Sequence, residues 1–187
     1  MTVLKTTTIG SLCRFDEDLH QSIDAAMAFQ KSYALDILTD GEQRTDMVSY
    51  FAESLSGLAV ESGVPVIRGR VALSGDPRDF SKVRDLRYIR SKHPDAPVKV
   101  AVTGPTTLGM TCGSRRVSRP SAGLTDITLY EDFADALAPV VKALSDEGAY
   151  VQVDEPFLSQ GFRDLPARAA LVDRVVEGLP SDRVSLH

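Results

Sequence analysis

The feature that most constrains the fold of this chain is a repeated alternation of short β-rich runs with segments of helical periodicity. Each intervening segment carries apolar residues at the spacing of one helix face. Strands that alternate with helices in this way predict βαβ units and a parallel sheet. The predicted strands are residues 3–8, 35–39, 98–103, 150–154 and 183–187, and the predicted helices are residues 16–33, 45–60, 80–91, 127–147 and 164–177.

Two segments between these elements are less regular. Residues 64–67 and 70–73 either pair with each other across residues 68–69 or belong to a loop excursion. Residues 110–125 are rich in Gly, Ser and Arg and predict a long loop, which in a compact domain is often functional. The basic residues of the predicted helix 80–91 are expected to form a solvated face; they are Lys82, Arg84, Arg87 and Arg90.

Composition predicts an ordinary globular chain. The 187 residues include 43% hydrophobic residues and carry a formal charge of -5, which fits one sizeable core and a single domain over residues 1–187. The acidic balance argues against a nucleic-acid partner. No apolar run approaches the roughly 20 residues of a membrane span. Cys13 and Cys112 lie far apart, so a reducing compartment, by default the cytoplasm, is expected.

The strand at residues 150–154 ends in an unusual acidic pair. Side chains alternate along a strand, so Gln152 and Asp154 share one face. Pro156 cannot donate a ladder hydrogen bond and stops the strand. Ligands bind at this end of the strands in parallel α/β proteins, and Asp154 is therefore predicted to be the centre of a site.

Polar or backbone-exposing residues end all five predicted strands. A flat doubly wound sheet gathers ligand groups at one crevice, whereas a barrel brings every strand end to one face. The pattern therefore favours an α/β fold of the parallel (β/α) TIM-barrel type. A full eight-unit barrel has about 250 residues, so only its first five strands, a partial barrel, are expected here.

Several motifs occur in an order that resembles a known family. They are residues 6–11 (TTTIGS), 38–48 (LTDGEQRTDMV), 102–107 (VTGPTT), 152–156 (QVDEP) and 184–187 (VSLH). Together they are similar to the catalytic barrel of cobalamin-independent methionine synthase, particularly its short archaeal-type relatives. The similarity runs through essentially the whole chain.

The resemblance implies an enzyme, a methyltransferase that transfers a methyl group to the thiol of homocysteine and forms methionine, with zinc as the cofactor. Zinc binding deprotonates a thiol, and the thiolate is the nucleophile. By the same resemblance, Ile9, Gly10 and Ser11 hold the substrate carboxylate, and Glu42 and Asp154 bind its ammonium group. His187 corresponds to the first zinc ligand.

Two departures from the family pattern bear on the mechanism. The family supplies a cysteine two residues after the histidine, then a glutamate and another cysteine, and all three positions would follow His187. Either a longer protein or a completing chain, possible in a homo-oligomer, is expected to supply them. Family members that use folate carry an aromatic residue after the Gly-Pro motif, where Thr111 stands here. The methyl donor is therefore expected to be a folate or a methyl-corrinoid.

Simpler interpretations remain open for each feature. Asp154 alone fits a turn cap, Glu42 a helix-flanking charge, residues 9–11 a tight turn, and Gln152 a group that fills the barrel. At the level of function, one alternative is a non-catalytic ligand-binding partial barrel. Another is a related barrel of the uroporphyrinogen decarboxylase-like group that acts on a different small thiol or substrate.

Overall fold

The computed structural model of the chain shows a mixed α/β architecture. It describes residues 4–52, 54–113 and 124–187. The helices are α1 (Leu19–Ser32), α2 (Ser49–Ala52), α3 (Ser81–Lys92), α4 (Pro105–Gly113), α5 (Ile127–Asp146) and α6 (Leu165–Val175). The strands are β1 (Leu55–Glu61), β2 (Val64–Leu73), β3 (Lys99–Thr103), β4 (Tyr150–Asp154) and β5 (Val184–Leu186). Short 3-10 turns occupy Pro77–Asp79, Pro156–Gln160 and Ser181–Arg183.

The main sheet is parallel and follows the order of the chain. Its three strands are arranged β3-β4-β5, and Thr103 at the end of β3 is the register partner of Asp154. Two isolated parallel bridges continue the order outward, from Val98 to Leu38 and from Ile37 to Thr7. The predicted strands 98–103, 150–154 and 183–187 are therefore confirmed. Within the described residues, the predicted strand 3–8 contributes one isolated bridge and the predicted strand 35–39 contributes two.

The two faces of this sheet differ in chemistry. Val100, Val102, Val151 and Val153 are buried in the hydrophobic core with apolar side chains of α3 and α5. The alternate positions, Lys99, Thr103, Gln152 and Asp154, are also buried but polar. Because side chains alternate along each strand, this polar set lies on the face opposite the helices. A polar face at the centre of a sheet requires partners, and these define the site described below.

Four of the predicted helices are confirmed within a few residues of their expected bounds. Helix α1 begins after Asp18, whose carboxylate accepts a hydrogen bond from the Gln21 backbone N–H at 2.9 Å. Helix α5 ends before Gly148, which has a φ of +81° and suits a left-handed C-terminal position. Helices α3 and α6 occupy the other two predicted segments. Among the described residues, no helix combines the length and apolar character that a membrane span requires.

The helix predicted over residues 45–60 is wrong. Only α2 forms there, and the chain then enters an antiparallel hairpin of β1 and β2. Ser62 and Gly63 both adopt positive φ angles, +51° and +75°, as a two-residue hairpin turn requires. The suggested pairing of 64–67 with 70–73 is also wrong, because both stretches belong to β2 and pair with β1.

The long loop predicted over residues 110–125 is corrected at its amino-terminal side. Residues up to Gly113 belong to α4, which packs so closely on α5 that a Cβ at Gly109 would lie 2.5 Å from the Tyr130 ring. A side chain at position 109 would therefore separate the two helices. The part of the predicted loop at 114–123 lies outside the described residues.

Candidate functional site

The residues that the sequence singled out lie around one end of the parallel sheet. Asp154 is the last residue of β4, and His187 directly follows β5. The His187 N–H donates to Val153 O at 2.9 Å, and the Glu155 N–H donates to His187 O at 2.8 Å. These two bonds hold the ends of β4 and β5 side by side, which puts the Asp154 and His187 side chains in contact.

Asp154 is held through one of its two carboxylate oxygens. Gln152 Nε2 donates to Asp154 Oδ1 at 2.7 Å, and His187 Nδ1 lies 3.1 Å from the same atom. Within the described part of the chain, Oδ2 makes no hydrogen bond. The side chain is 11% exposed. One oxygen is therefore fixed by the protein, and the other is free to accept from a ligand.

Glu42 has a similar arrangement on the neighbouring loop. Its backbone has a φ of +53°, in the left-handed region that few non-glycine residues adopt. Asp40 supports this turn, because its Oδ1 accepts from the Glu42 N–H at 3.2 Å. Lys82 Nζ lies 3.2 Å from Glu42 Oε1, and in the described residues Oε2 has no partner.

The electrostatics of Glu42 reflect its burial among other carboxylates. Burial raises the pKa of Glu42 above its ordinary value of 4.5; the charge of Lys82 opposes that rise, and the charges of Asp40 and Asp154 add to it. Asp154 therefore lies near enough to Glu42 for their charges to interact. A cation that entered between these carboxylates would relieve the repulsion among them.

Lys82 is a residue that the sequence analysis misassigned. The predicted solvated basic face on helix 80–91 is wrong at this position, because Lys82 is fully buried. Its ammonium lies 3.8 Å from the centroid of the Tyr50 ring and pairs with Glu42. Within the described residues, the buried Lys82 ammonium thus contacts a carboxylate and the face of an aromatic ring, and both stabilise its positive charge.

The segment Ile9, Gly10 and Ser11 presents backbone donors at the same end of the sheet. In the described structure, none of their three N–H groups donates a hydrogen bond. Their carbonyl groups are held instead: Thr39 Oγ1 donates to Gly10 O at 3.2 Å, and Gln152 Nε2 donates to Ile9 O at 2.8 Å. Ser11 is exposed, whereas Gly10 is buried with its Cβ position 3.5 Å from Ala101 Cβ.

Glu155 has a structural role that the sequence analysis did not assign. Its carboxylate accepts from the N–H groups of Thr106 and Thr107, each at 2.8 Å, and from Thr107 Oγ1 at 2.7 Å. A carboxylate at this end of α4 satisfies unpaired N–H groups and complements the helix dipole. Gly104 is required there, because a Cβ would lie 2.4 Å from the Glu155 side chain. Two sequence features could have indicated this contact: the Gly104-Pro105 pair that follows β3, and Glu155, the second acid at the end of β4.

His187 offers a donor suited to zinc at this end of the sheet. With His187 Nδ1 beside Asp154, the imidazole Nε2 is the nitrogen left for a metal, and a carboxylate behind a histidine is a common arrangement at metal sites. Among residues 4–52, 54–113 and 124–187, however, no three metal-binding side chains form a group. A tetrahedral zinc site needs three further ligands. These residues alone therefore do not fit a complete zinc site.

Comparison with known proteins identifies the family. The model described as "Cobalamin-independent synthase, Catalytic domain" matches residues 2–179. The methionine synthase of Methanothermobacter marburgensis is 34% identical over 170 residues, which are 89% of this chain and 54% of that protein. The methionine synthase of Methanothermobacter thermautotrophicus is 35% identical over 173 residues, again 89% of this chain and 54% of that protein.

A longer relative matches the same region. The 5-methyltetrahydropteroyltriglutamate–homocysteine methyltransferase of a Synechococcus strain is 35% identical over 190 residues, which cover 84% of this chain and 24% of that protein. The chain thus spans about half the length of the Methanothermobacter relatives and about a quarter of the longer one. Since the family model covers nearly all of its residues, the chain belongs to the family of the cobalamin-independent synthase catalytic domain.

Proposed function

We propose that this chain forms the amino-acid-binding part of a methyltransferase that methylates the thiol of homocysteine to give methionine. The observation that carries the proposal is that two carboxylates, each with one oxygen left without a hydrogen bond, lie near backbone N–H groups that have no acceptor. Asp154 and Glu42 each keep one oxygen without a partner among the described residues, and the N–H groups of residues 9–11 are unpaired beside them. An α-amino acid carries the complementary ammonium and carboxylate groups.

In this proposal the two charges of homocysteine orient its side chain. The ammonium group lies between Asp154 Oδ2 and Glu42 Oε2, where charge-assisted hydrogen bonds are strong because both carboxylates are largely buried. The substrate carboxylate accepts from the backbone N–H groups of Ile9, Gly10 and Ser11 and from the Ser11 hydroxyl. The thiol then extends toward the His187 side of the rim.

The reaction requires a thiolate. Its sulfur attacks the methyl carbon, and the bond from that carbon to the donor breaks with its electron pair remaining on the donor. Zinc, when bound, would supply thiol deprotonation, as zinc does for coordinated thiols in general. His187 would hold it through Nε2, with Asp154 fixing the orientation of the ring. We propose that the remaining ligands come from outside the described residues.

The proposed scaffold is the amino-terminal part of a (β/α) barrel. Five parallel segments in chain order support it, namely the bridges at Thr7, Ile37 and Leu38 followed by β3, β4 and β5. The proposed donor is a methylated folate, because the name of the Synechococcus relative contains a donor of that class. A methyl-corrinoid is the alternative, because Thr111 offers no aromatic face for stacking a pterin.

Two measurements test this function. Calorimetric titration of the chain with L-homocysteine and L-methionine is expected to show binding. Mass spectrometry is expected to detect methionine when homocysteine, zinc and a methylated donor are supplied to the chain together with the segment that carries the remaining zinc ligands. Absence of binding to both amino acids would contradict the proposal. Binding without turnover by that completed protein, with any donor, would favour a non-catalytic ligand-binding module.

A further inference from the structure

Gln152 lies at the centre of the polar sheet face and joins the two halves of the amino-acid subsite. It is 5% exposed and sits two residues before Asp154 on the same face of β4. One hydrogen of its Nε2 goes to Ile9 O at 2.8 Å and the other to Asp154 Oδ1 at 2.7 Å. Its Oε1 accepts from Lys99 Nζ at 2.6 Å. Both amide protons and the amide oxygen are therefore engaged.

The orientation of this amide is fixed by its neighbours. A lysine ammonium can only donate, while a peptide carbonyl and a carboxylate can only accept. Rotation of the amide by 180° would bring Oε1 against two acceptors and the NH₂ group against a donor. Lys99 itself is anchored by a second bond, from Nζ to Thr8 O at 2.6 Å. The geometry thus permits one arrangement of Gln152.

The contact with Ile9 determines where a neighbouring donor points. The peptide unit between Ile9 and Gly10 is planar and trans, so its C=O and N–H groups point in opposite directions. Because Ile9 O is directed at Gln152, the Gly10 N–H is directed away from Gln152. The same amide group holds Asp154 Oδ1, which leaves Oδ2 in a defined position.

We infer that Gln152 is a positioning residue that couples the carboxylate-binding and ammonium-binding halves of the subsite, with Lys99 as its anchor. This inference rests on the proposed function, and it concerns a residue that contacts no substrate. A group that only filled the interior of the sheet would affect the stability of the fold. A group that couples the two halves also affects recognition of each end of the ligand.

Ligands that lack one end distinguish these roles. L-Methionine carries both charged groups, 4-(methylthio)butyrate lacks the ammonium, and 3-(methylthio)propylamine lacks the carboxylate. Binding of all three is measured by calorimetry on the wild-type chain and on the Gln152→Met, Gln152→Asn, Lys99→Met and Asp154→Asn variants. Circular dichroism and thermal unfolding of each variant report the integrity of the fold.

Gln152→Met is expected to weaken both truncated ligands by about tenfold each and L-methionine by more, since each half loses one fixed hydrogen-bonding group. Asp154→Asn, as the matched control, is expected to weaken only the ligands that carry an ammonium group. Lys99→Met is expected to give the Gln152→Met pattern with a smaller amplitude. If Gln152→Met does not fold, Gln152→Asn keeps a neutral amide but is one methylene shorter, so it cannot reach Ile9 O and Asp154 Oδ1 together, and the same pattern is expected.

Wild-type affinity for both truncated ligands in a folded Gln152 variant would overturn the inference while leaving the proposed function intact. Loss of only one of the two ligands would also overturn it, because the residue would then serve a single half. A wild-type chain that binds neither L-methionine nor L-homocysteine would instead reject the proposed function, and the coupling role with it.

Discussion

Lys82 Nζ lies 3.2 Å from Glu42 Oε1 in a pair whose side chains are 0% and 9% exposed. A buried pair of this kind differs from the exposed pair of Lys142 and Asp146, which are one helical turn apart and mostly in solvent. Removal of one partner from the buried pair leaves the other charge without compensation in a region of low dielectric. The stability of the candidate site therefore depends on a lysine that lies outside the five motifs.

We predict that Lys82→Met lowers the free energy of unfolding by about 3 kcal/mol, because Glu42 is left buried and unpaired. Adding Glu42→Gln to this variant is expected to restore a substantial part of the loss, since no charge then remains without a partner. Urea unfolding at neutral pH measures both changes. Lys142→Met is the control, with an expected change below about 0.5 kcal/mol. Equal losses in the single and double variants would contradict the assigned pair.

The pH dependence of stability is predicted from the pKa of Glu42. Burial raises this pKa above 4.5 in the folded protein, so the folded state binds more protons than the unfolded state between the two values. Stability from this group is therefore present at low pH and is lost as pH rises from about 4.5 through the raised pKa.

The comparison that isolates this effect uses Glu42→Gln. The difference in unfolding free energy, wild type minus variant, is expected to fall as pH increases across that window, because the variant lacks the titrating group. Contributions shared by both proteins, including that of Glu155, whose pKa is also raised by burial, cancel in the difference. A difference that rises with pH would show that Lys82 outweighs the burial of Glu42.

We predict that Glu155→Ala destabilises the fold by about 2–4 kcal/mol, because two buried backbone N–H groups and a threonine hydroxyl lose their acceptor. Asp18→Ala removes a single bond from an exposed cap of α1 and serves as the control, with an expected loss of about 1 kcal/mol. Chemical denaturation gives both values. Similar losses in the two variants would argue against a special role for the acid at position 155.

Gly104→Ala is expected to be as damaging as the loss of Glu155 itself. The new Cβ would lie 2.4 Å from the Glu155 side chain, so the carboxylate must leave its position on α4. Gly63→Ala at the hairpin turn is the matched glycine control, because its Cβ position meets no atom within 4 Å and only the φ of +75° opposes the change. Thermal unfolding compares the two, and a larger effect at position 63 would refute the steric argument.

The two cysteines are predicted to differ in reactivity. Burial raises the pKa of Cys112 to about 12, so its thiolate is scarce at neutral pH and a reagent cannot reach it. Cys13 is exposed. Iodoacetamide labelling of the native protein, followed by peptide mass spectrometry, is expected to modify Cys13 alone, and both thiols after unfolding in urea. Rapid native labelling of Cys112 would contradict its position in the core.

The periodicity of apolar residues correctly predicted the helices and strands whose pattern is set by residues close in sequence. The stripe of apolar residues that marks α5 and the alternation in β4 are patterns of this kind. The same reasoning failed at residues 45–60, where the apolar residues also fit helical spacing but Ser62 and Gly63 turn the chain into a hairpin. Propensity is a weak prior at such places, and pairing with a second strand overrides it.

By itself, the sequence determined the three strands of the main sheet, the helices α1, α3, α5 and α6, the polar residues at the strand ends, and the motifs that indicate the family. These depend on the side chains within a few positions of each other, because helix and strand periods are local properties. Only the tertiary structure decided which polar groups meet. Lys82 binds Glu42 across 40 positions, Glu155 binds Thr106 across 49, and Gln152 binds Ile9 across 143. Hydrogen bonds depend on distance and angle in space, and packing of the sheet against its helices sets both.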